Sequence, residues 1–252
     1  MVGLPLRIRP AIVLFGDSIT HQGFGWEGGI GWASLLSSDY SRRADVLNRG
    51  FSGYNTRHAV ELLPRIFATA PPTDGVLFTT VFFGANDAAL PGELQHVPID
   101  EYGKNLEKIV AYIRTSQKPQ DEEKICTDDS SNIPIILMTP PPVDVGAWKS
   151  NDRANEVARE YGNRVKEVAA NTNCAVLDVF ELLGGNSDDP EKYGHHLRDG
   201  LHLSESGNKL VYQGLTNLIA TDFIHLAPML DGQGKYGKIG IPLEEDLWSE
   251  LV

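Results

Sequence analysis

Five short apolar runs, at 11–15, 44–48, 75–83, 133–139 and 174–179, alternate along the chain with segments that read as amphipathic helices. The segment at about 99–114 sets Tyr102, Leu106, Ile109, Val110 and Ile113 at a helical period, and that at about 151–170 does so with Ala154, Val157, Ala158, Tyr161, Val165 and Val168. A last helix is predicted from about Ser206 to Phe223. Strands separated by helical crossovers pair in parallel, and a parallel sheet has to be covered on both faces. The predicted fold is therefore α/β, a three-layer α/β/α sandwich around a parallel sheet of about five strands.

A chain of 252 residues, 41% of them apolar, is within the reach of one such domain and long enough to bury a large core. A single domain over 1–252 is expected. Two stretches stand apart from the alternation. The polar, acidic stretch at about 117–132 has no periodicity and reads as a solvated surface insertion remote from the sheet edge that carries chemistry. The tail at about 224–252 holds Trp248 and several acids to which the sequence assigns no role.

The formal net charge of −12 opposes the phosphate contacts of nucleic-acid binding and disfavours anionic membrane surfaces. No apolar stretch approaches the roughly 20 residues of a spanning helix. The opening, Met1 to Pro10, runs into the first strand without a separate apolar region and cleavage site, so no signal peptide is expected. Two cysteines, Cys126 and Cys174, suit a reducing compartment better than a disulfide scaffold. A soluble, cytoplasmic protein is the expectation.

Three predicted strands are followed by polar or glycine-bearing loops. Ser18 lies in Gly16-Asp17-Ser18-Ile19-Thr20 after the first, Gly53 in Gly50-Phe51-Ser52-Gly53-Tyr54 after the second, and Asn86 in Gly84-Ala85-Asn86-Asp87 after the third. In a doubly wound sheet these loops open on one edge, so residues scattered in sequence converge. Asp199-Gly200-Leu201-His202 adds a base with a carboxylate three residues before it. Acyl transfer needs such a set: Ser18 to attack a carbonyl, His202 to take its proton, Asp199 to orient the ring, and donors for the oxyanion. The backbone N–H groups of Ser18 and Gly53 and the side-chain amide of Asn86 are the expected donors. Taken singly, each has a plainer reading: Ser18 as a helix cap, Gly53 as a turn glycine, Asn86 as a turn residue, Asp199 as a turn cap and His202 as a hydrogen-bonded histidine. Asp17 and Asp87 are read as loop-bracing carboxylates, and Tyr54 and Trp148 as candidate walls of a substrate pocket.

These four blocks together resemble the GDSL, or SGNH, hydrolases, named for a Ser, Gly, Asn and His that fall here at Ser18, Gly53, Asn86 and His202. They occur in order over about 185 of the 252 residues. The proline run Thr139-Pro140-Pro141-Pro142, with Asp199-Gly200-Leu201-His202-Leu203, is similar to the isoamyl acetate-hydrolysing esterase branch. The resemblance implies a flavodoxin-like sheet, a serine ester hydrolase that uses no cofactor or metal, a triad of Ser18, Asp199 and His202, and a small-molecule carboxylic ester as substrate.

Competing signatures are weaker. Gly23-Phe24-Gly25-Trp26-Glu27-Gly28 matches G-x-G-x-x-G, but it begins well beyond the strand end and places bulky residues where a phosphate turn is tight. No G-x-S-x-G elbow is present. A metal-dependent phosphoesterase, with ligands drawn from Asp17, Asn86, Asp87, His195, His196, Asp199 and His202, is the first alternative. A non-catalytic acyl- or glycan-binding module on the same fold is the second.

Overall fold

The computed structural model describes residues 9–67, 75–116 and 133–228. Five strands form one sheet: β1 (Ala11–Gly16), β2 (Asp45–Gly50), β3 (Val76–Phe82), β4 (Ile135–Met138) and β5 (Ala175–Leu177). Their order is β2-β1-β3-β4-β5, with every neighbouring pair parallel. The path through the sheet therefore begins at β1, one strand in from the edge, moves outward to β2, returns past β1 to β3 and continues to β5. The loops after β1, β2 and β3 all emerge on one edge as a result, as the flavodoxin-like order requires.

The composition of β1 shows why this chain makes such a sheet. All six of its residues are buried. Successive side chains of a strand point to opposite faces, and those of β1 feed two different cores. Ile12 and Leu14 join Trp32, Leu36, Val211 and Leu215 on one face. Val13 and Phe15 join Ala59, Leu63, Leu106 and Ile109 on the other. The first core lies under α2 (Trp32–Asp39), α6 (Val179–Leu182) and α7 (Glu205–Asp222). The second lies under α3 (Thr56–Phe67), α4 (Ile99–Ser116) and α5 (Asn155–Asn171).

All five predicted strands and all three predicted helices form, with shifted ends. β2 runs on to Gly50, and β5 stops at Leu177 because Asp178 accepts a hydrogen bond from Glu181 N–H and starts α6. α5 starts at Asn155 rather than near 151, since Asn151 takes a positive φ of 52° and the chain is extended at Ala154. Not among the predicted helices are α1 (Ser18–His21), α2, α3 and α6; α1 and α6 span only four residues each, too few to show a period. The insertion at about 117–132, Cys126 and the tail beyond 228, Trp248 included, lie outside the described residues. The start of the tail packs back onto the domain: Leu226 is buried and its carbonyl accepts from the Tyr40 hydroxyl at 2.7 Å. Among the described residues no helix is long and apolar enough to cross a membrane.

Candidate active site

Ser18 opens α1, two residues after β1 ends. The turn is tight enough to demand Gly16, where a Cβ would stand 2.1 Å from Thr20 Oγ1 and 2.6 Å from the Phe82 carbonyl. Asp17, fully buried, accepts from Ile19 N–H at 2.9 Å and so caps α1. Ser18 N–H occupies the first position of that helix, where an N–H has no intrahelical acceptor.

His202 comes from the loop before α7, and its Nε2 lies 2.9 Å from Ser18 Oγ. On its other side Nδ1 is 2.8 Å from Asp199 Oδ2. An ionised carboxylate only accepts, so Nδ1 carries the proton and Nε2 is left to accept from the Ser18 hydroxyl. Asp199 serves in both of the ways its spacing allowed. Its Oδ1 caps the turn by accepting from Leu201 N–H (3.1 Å) and His202 N–H (2.8 Å), while its Oδ2 holds the ring. Burial pushes this carboxyl up, but the hydrogen bonds from the His202 ring and backbone and from Leu201 outweigh it and hold it well below the usual carboxylate range.

The expected oxyanion donors stand on the loops after β2 and β3. Gly53 takes a φ of +80°, which a side chain would strain. Asn86 is almost fully buried, and its Nδ2 donates to the Tyr54 carbonyl at 2.8 Å. That bond uses one of the two amide protons and aims the other.

A polar network that the sequence did not signal holds these two loops. Arg153, 4% exposed, donates from Nε to the Ala85 carbonyl beside Asn86 (2.8 Å) and from Nη2 to Gln95 Oε1 (2.6 Å). Gln95 Nε2 in turn donates to the Gly53 carbonyl at 2.9 Å. One buried guanidinium thus joins the loops after β2 and β3. Neither residue belongs to a motif or a periodic pattern, so nothing in their spacing pointed to them. His21 Nδ1 and Ser52 Oγ, 2.7 Å apart, join the end of α1 to the Gly53 loop. Asp87 Oδ1 accepts from Thr56 N–H at 2.9 Å and from its hydroxyl, pinning the start of α3. Asp17 and Asp87 are therefore loop braces, as read from sequence. Burial pushes their carboxyls up, to about 7 for Asp17 and about 6 for Asp87.

Trp148 packs edge-on to the His202 ring, centroids 6.2 Å apart, with its Nε1 donating to Asp152 Oδ1 at 2.7 Å. Tyr54 stacks on Phe51 beside the Asn86 contact. Of the residues of the metal alternative, His195 and His196 pack on each other with tilted rings, centroids 3.8 Å apart, and His196 Nδ1 meets Ser206 Oγ at 2.9 Å. Among the described residues no three His, Cys, Asp or Glu side chains gather so as to hold a metal ion. The G-x-G-x-x-G stretch forms a short 3₁₀ turn and a bend, and α2 begins only at Trp32.

A serine, a histidine and an aspartate in hydrogen-bonded line at the carboxyl edge of a parallel sheet define the class. The sequence profile of the GDSL-like Lipase/Acylhydrolase family matches residues 14–210, and the chain belongs to that family. The protein is a carboxylic ester hydrolase of the GDSL type. The isoamyl acetate-hydrolyzing esterase 1 homolog of Mus musculus is 40% identical over 232 residues, covering 88% of this chain and 82% of the mouse protein. A GDSL esterase/lipase of Arabidopsis thaliana is 39% identical over 230 residues, covering 84% and 86%. Among solved structures, a lipase/acylhydrolase from Enterococcus faecalis superposes with a TM-score of 0.62 at 26% identity, covering 83% of this chain and 95% of that one. An acetylxylan esterase from Geobacillus stearothermophilus shares the fold, with a TM-score of 0.62 at 21% identity, covering 85% and 96%.

Proposed function

We propose that the protein hydrolyses small carboxylic esters, with acetate or another short acyl group, through an acyl-enzyme on Ser18. The observation that carries this reading is the unbroken line from Ser18 Oγ to His202 Nε2 (2.9 Å) and from Nδ1 to Asp199 Oδ2 (2.8 Å). The Ser18 oxygen attacks the ester carbonyl carbon as its proton passes to His202 Nε2. Asp199, held ionised, stabilises the imidazolium. The carbonyl electron pair becomes an oxyanion, which accepts from Ser18 N–H, Gly53 N–H and the Asn86 amide. Collapse breaks the bond to the alcohol oxygen, and His202 returns its proton to that oxygen. Water, deprotonated by His202, then releases the acid from Ser18. The small size of the substrate is supported by the relatives named for isoamyl acetate hydrolysis.

A serine-directed organophosphonate should add one equivalent of mass to the peptide that contains Ser18 and abolish ester hydrolysis. His202→Ala should lower kcat on p-nitrophenyl acetate by on the order of 10⁴-fold or more, by analogy with triad deletions. Activity lost on dialysis against EDTA and regained with Zn²⁺ or Mn²⁺, or near wild-type kcat in His202→Ala, would overturn the reading.

A further inference from the structure

An ester fixes the spacing of the groups that act on it. The carbonyl oxygen that becomes the oxyanion and the leaving oxygen that takes a proton from His202 are bonded to one carbon, so the histidine and the oxyanion donors must be held at one distance from each other. Yet the two belong to different faces of the sheet. His202 precedes α7, which packs into the first core, whereas Gly53 and Asn86 stand on loops that lead to α3 and α4, in the second. We propose that Asp152 is a positioning residue that couples the two, through Trp148 to His202 and through Arg153 to the loops of Gly53 and Asn86. The inference rests on the ester-hydrolase mechanism above, which gives those loops their role.

The segment between β4 and α5 crosses the sheet edge from one face to the other: Val143 and Trp148 pack with the first core, Tyr161 and Val165 of α5 with the second. At its start it is clamped to the turn that carries the acid and the base. Asp144 N–H donates to the Gly200 carbonyl at 2.9 Å. The fit is so close that a Cβ on Gly200, whose φ is +93°, would stand 2.5 Å from Trp148 N and 2.6 Å from the Asp144 carbonyl oxygen. Trp148 then packs edge-on to the His202 ring, and its Nε1 donates to Asp152 Oδ1 at 2.7 Å. Asp152 Oδ2 pairs with Arg153 Nη1 at 2.8 Å. From Arg153 the path runs to the Ala85 carbonyl and, by way of Gln95, to the Gly53 carbonyl. The Asp152 carbonyl adds a further tie by accepting from Leu90 N–H, in the loop after β3, at 2.9 Å.

The chemistry of the junction calls for a carboxylate. Indole N–H and guanidinium both donate, so the side chain between them must accept on two sides, which Asp does and Asn cannot without turning its own N–H groups toward one of the donors. The Arg153 guanidinium is buried, and burial pulls its pKa down; Asp152 is the first of the carboxylates that oppose this, ahead of Glu93 and Asp17. A buried charge without a partner is costly, so Asp152 keeps Arg153 charged as well as in place. Arg198, the cation next to Asp199 in sequence, offers no second route. Its guanidinium lies over the Trp26 ring, 4.8 Å from the centroid, donates to Gln22 Oε1 at 2.6 Å and stands 3.7 Å from Asp199 Oδ2. It lines a cleft of about 320 Å³ between the 22–31 segment and the start of α7, and none of these contacts reaches the donor loops.

The experiment is a double-mutant cycle on the full chain with p-nitrophenyl acetate, with kcat, KM and thermal midpoint measured for each variant. Gln95→Ala should lower kcat about tenfold, and Trp148→Phe, which keeps an aromatic edge on the histidine but removes the Nε1 bond, about threefold, each with KM nearly unchanged. Substitutions at independent sites multiply, which would give roughly 30-fold for the pair; a connected path predicts no more than about tenfold. Asp152→Asn alone should lower kcat about tenfold with KM held, and in its background the other two substitutions should cost little more. A merely structural Asp152 would lower the midpoint and leave kcat and the multiplication of the pair as they are. Either single variant at wild-type kcat, a pair that multiplies in the otherwise wild-type chain, or Asp152→Asn at wild-type kcat overturns the coupling while the function stands. The cycle of Trp148→Phe and Gln95→Ala decides the matter even where Asp152→Asn does not fold. Equal rates in Ser18→Ala and wild type overturn the function itself.

Discussion

On the side of the sheet edge that carries Gly53 and Asn86, buried hydrogen bonds tie loop to loop. Arg153 holds Ala85 and Gln95, Gln95 holds Gly53, Asn86 holds Tyr54, and Asp87 holds Thr56. On the histidine side the ring itself is firmly fixed, but the wall beyond it is open, with Trp26 and Ile30 half in solvent. The difference matches what each side is proposed to meet. Charge on an oxyanion develops in one place whatever the ester, so its donors gain from being fixed in advance. The leaving oxygen needs only a proton, which His202 supplies, so beyond that ring no comparable bracing is required.

The comparison is tested most sharply at Asn86. If its amide meets charge that forms only in the transition state, Asn86→Ala should lower kcat by roughly 10²–10³-fold while KM barely moves. Were Asn86 only a tether for the Tyr54 carbonyl, the thermal midpoint would fall with kcat nearly unchanged; measuring kcat, KM and midpoint together decides between the two.

A smaller effect is expected one contact further out. Gln95→Ala removes the donor to the Gly53 carbonyl and the acceptor of Arg153 Nη2, so the Gly53 N–H should drift from its aim. Because sub-ångström misplacement of a donor is costly in the transition state, kcat should drop by about tenfold with KM held. A kcat equal to wild type would show that the two loops keep their geometry without this bridge, and the contrast between braced and open sides would lose its basis.

The smallest expected effect concerns stability. Burial raises the Asp17 carboxyl to about 7 and Asp87 to about 6, so between their ordinary value of 3.8 and those values the folded chain holds protons that the unfolded chain has released. Stability from these groups is present below pH 4 and is lost as pH rises through 6 to 7. Asp17→Asn keeps an acceptor for Ile19 N–H without the charge. Its thermal midpoint should decline less steeply than that of wild type between pH 5 and 8, and equal slopes would mean that the floor beneath Ser18 carries no such linkage.

Much of the site was legible because its residues carry strong local signals. Ser18 follows a strand of six buried residues, Gly53 sits in a turn that needs positive φ, and Asp199 and His202 are three apart, the spacing at which one carboxylate can cap the turn and reach the ring. Arg153, Gln95 and the Trp26–Arg198 contact were not legible. Arg153 and Ala85 lie 68 positions apart, and their hydrogen bond exists only because the loops after β3 and β4 are brought side by side. Trp26 was read as part of a failed phosphate motif, since a sequence shows that a tryptophan is present but not that it lies bare beside Arg198.

By itself the sequence determined the layers and the residues of a candidate site. Apolar runs of strand length between helical periods admit a covered parallel sheet and little else, and the four blocks hold the candidate serine, base and donors. Only the tertiary structure decided which face of the sheet each block stands on, how the donors are braced, and where a cleft remains. These depend on contacts between loops far apart in the chain, set by strand order and by how two separate cores fill, and no local pattern of residues encodes them.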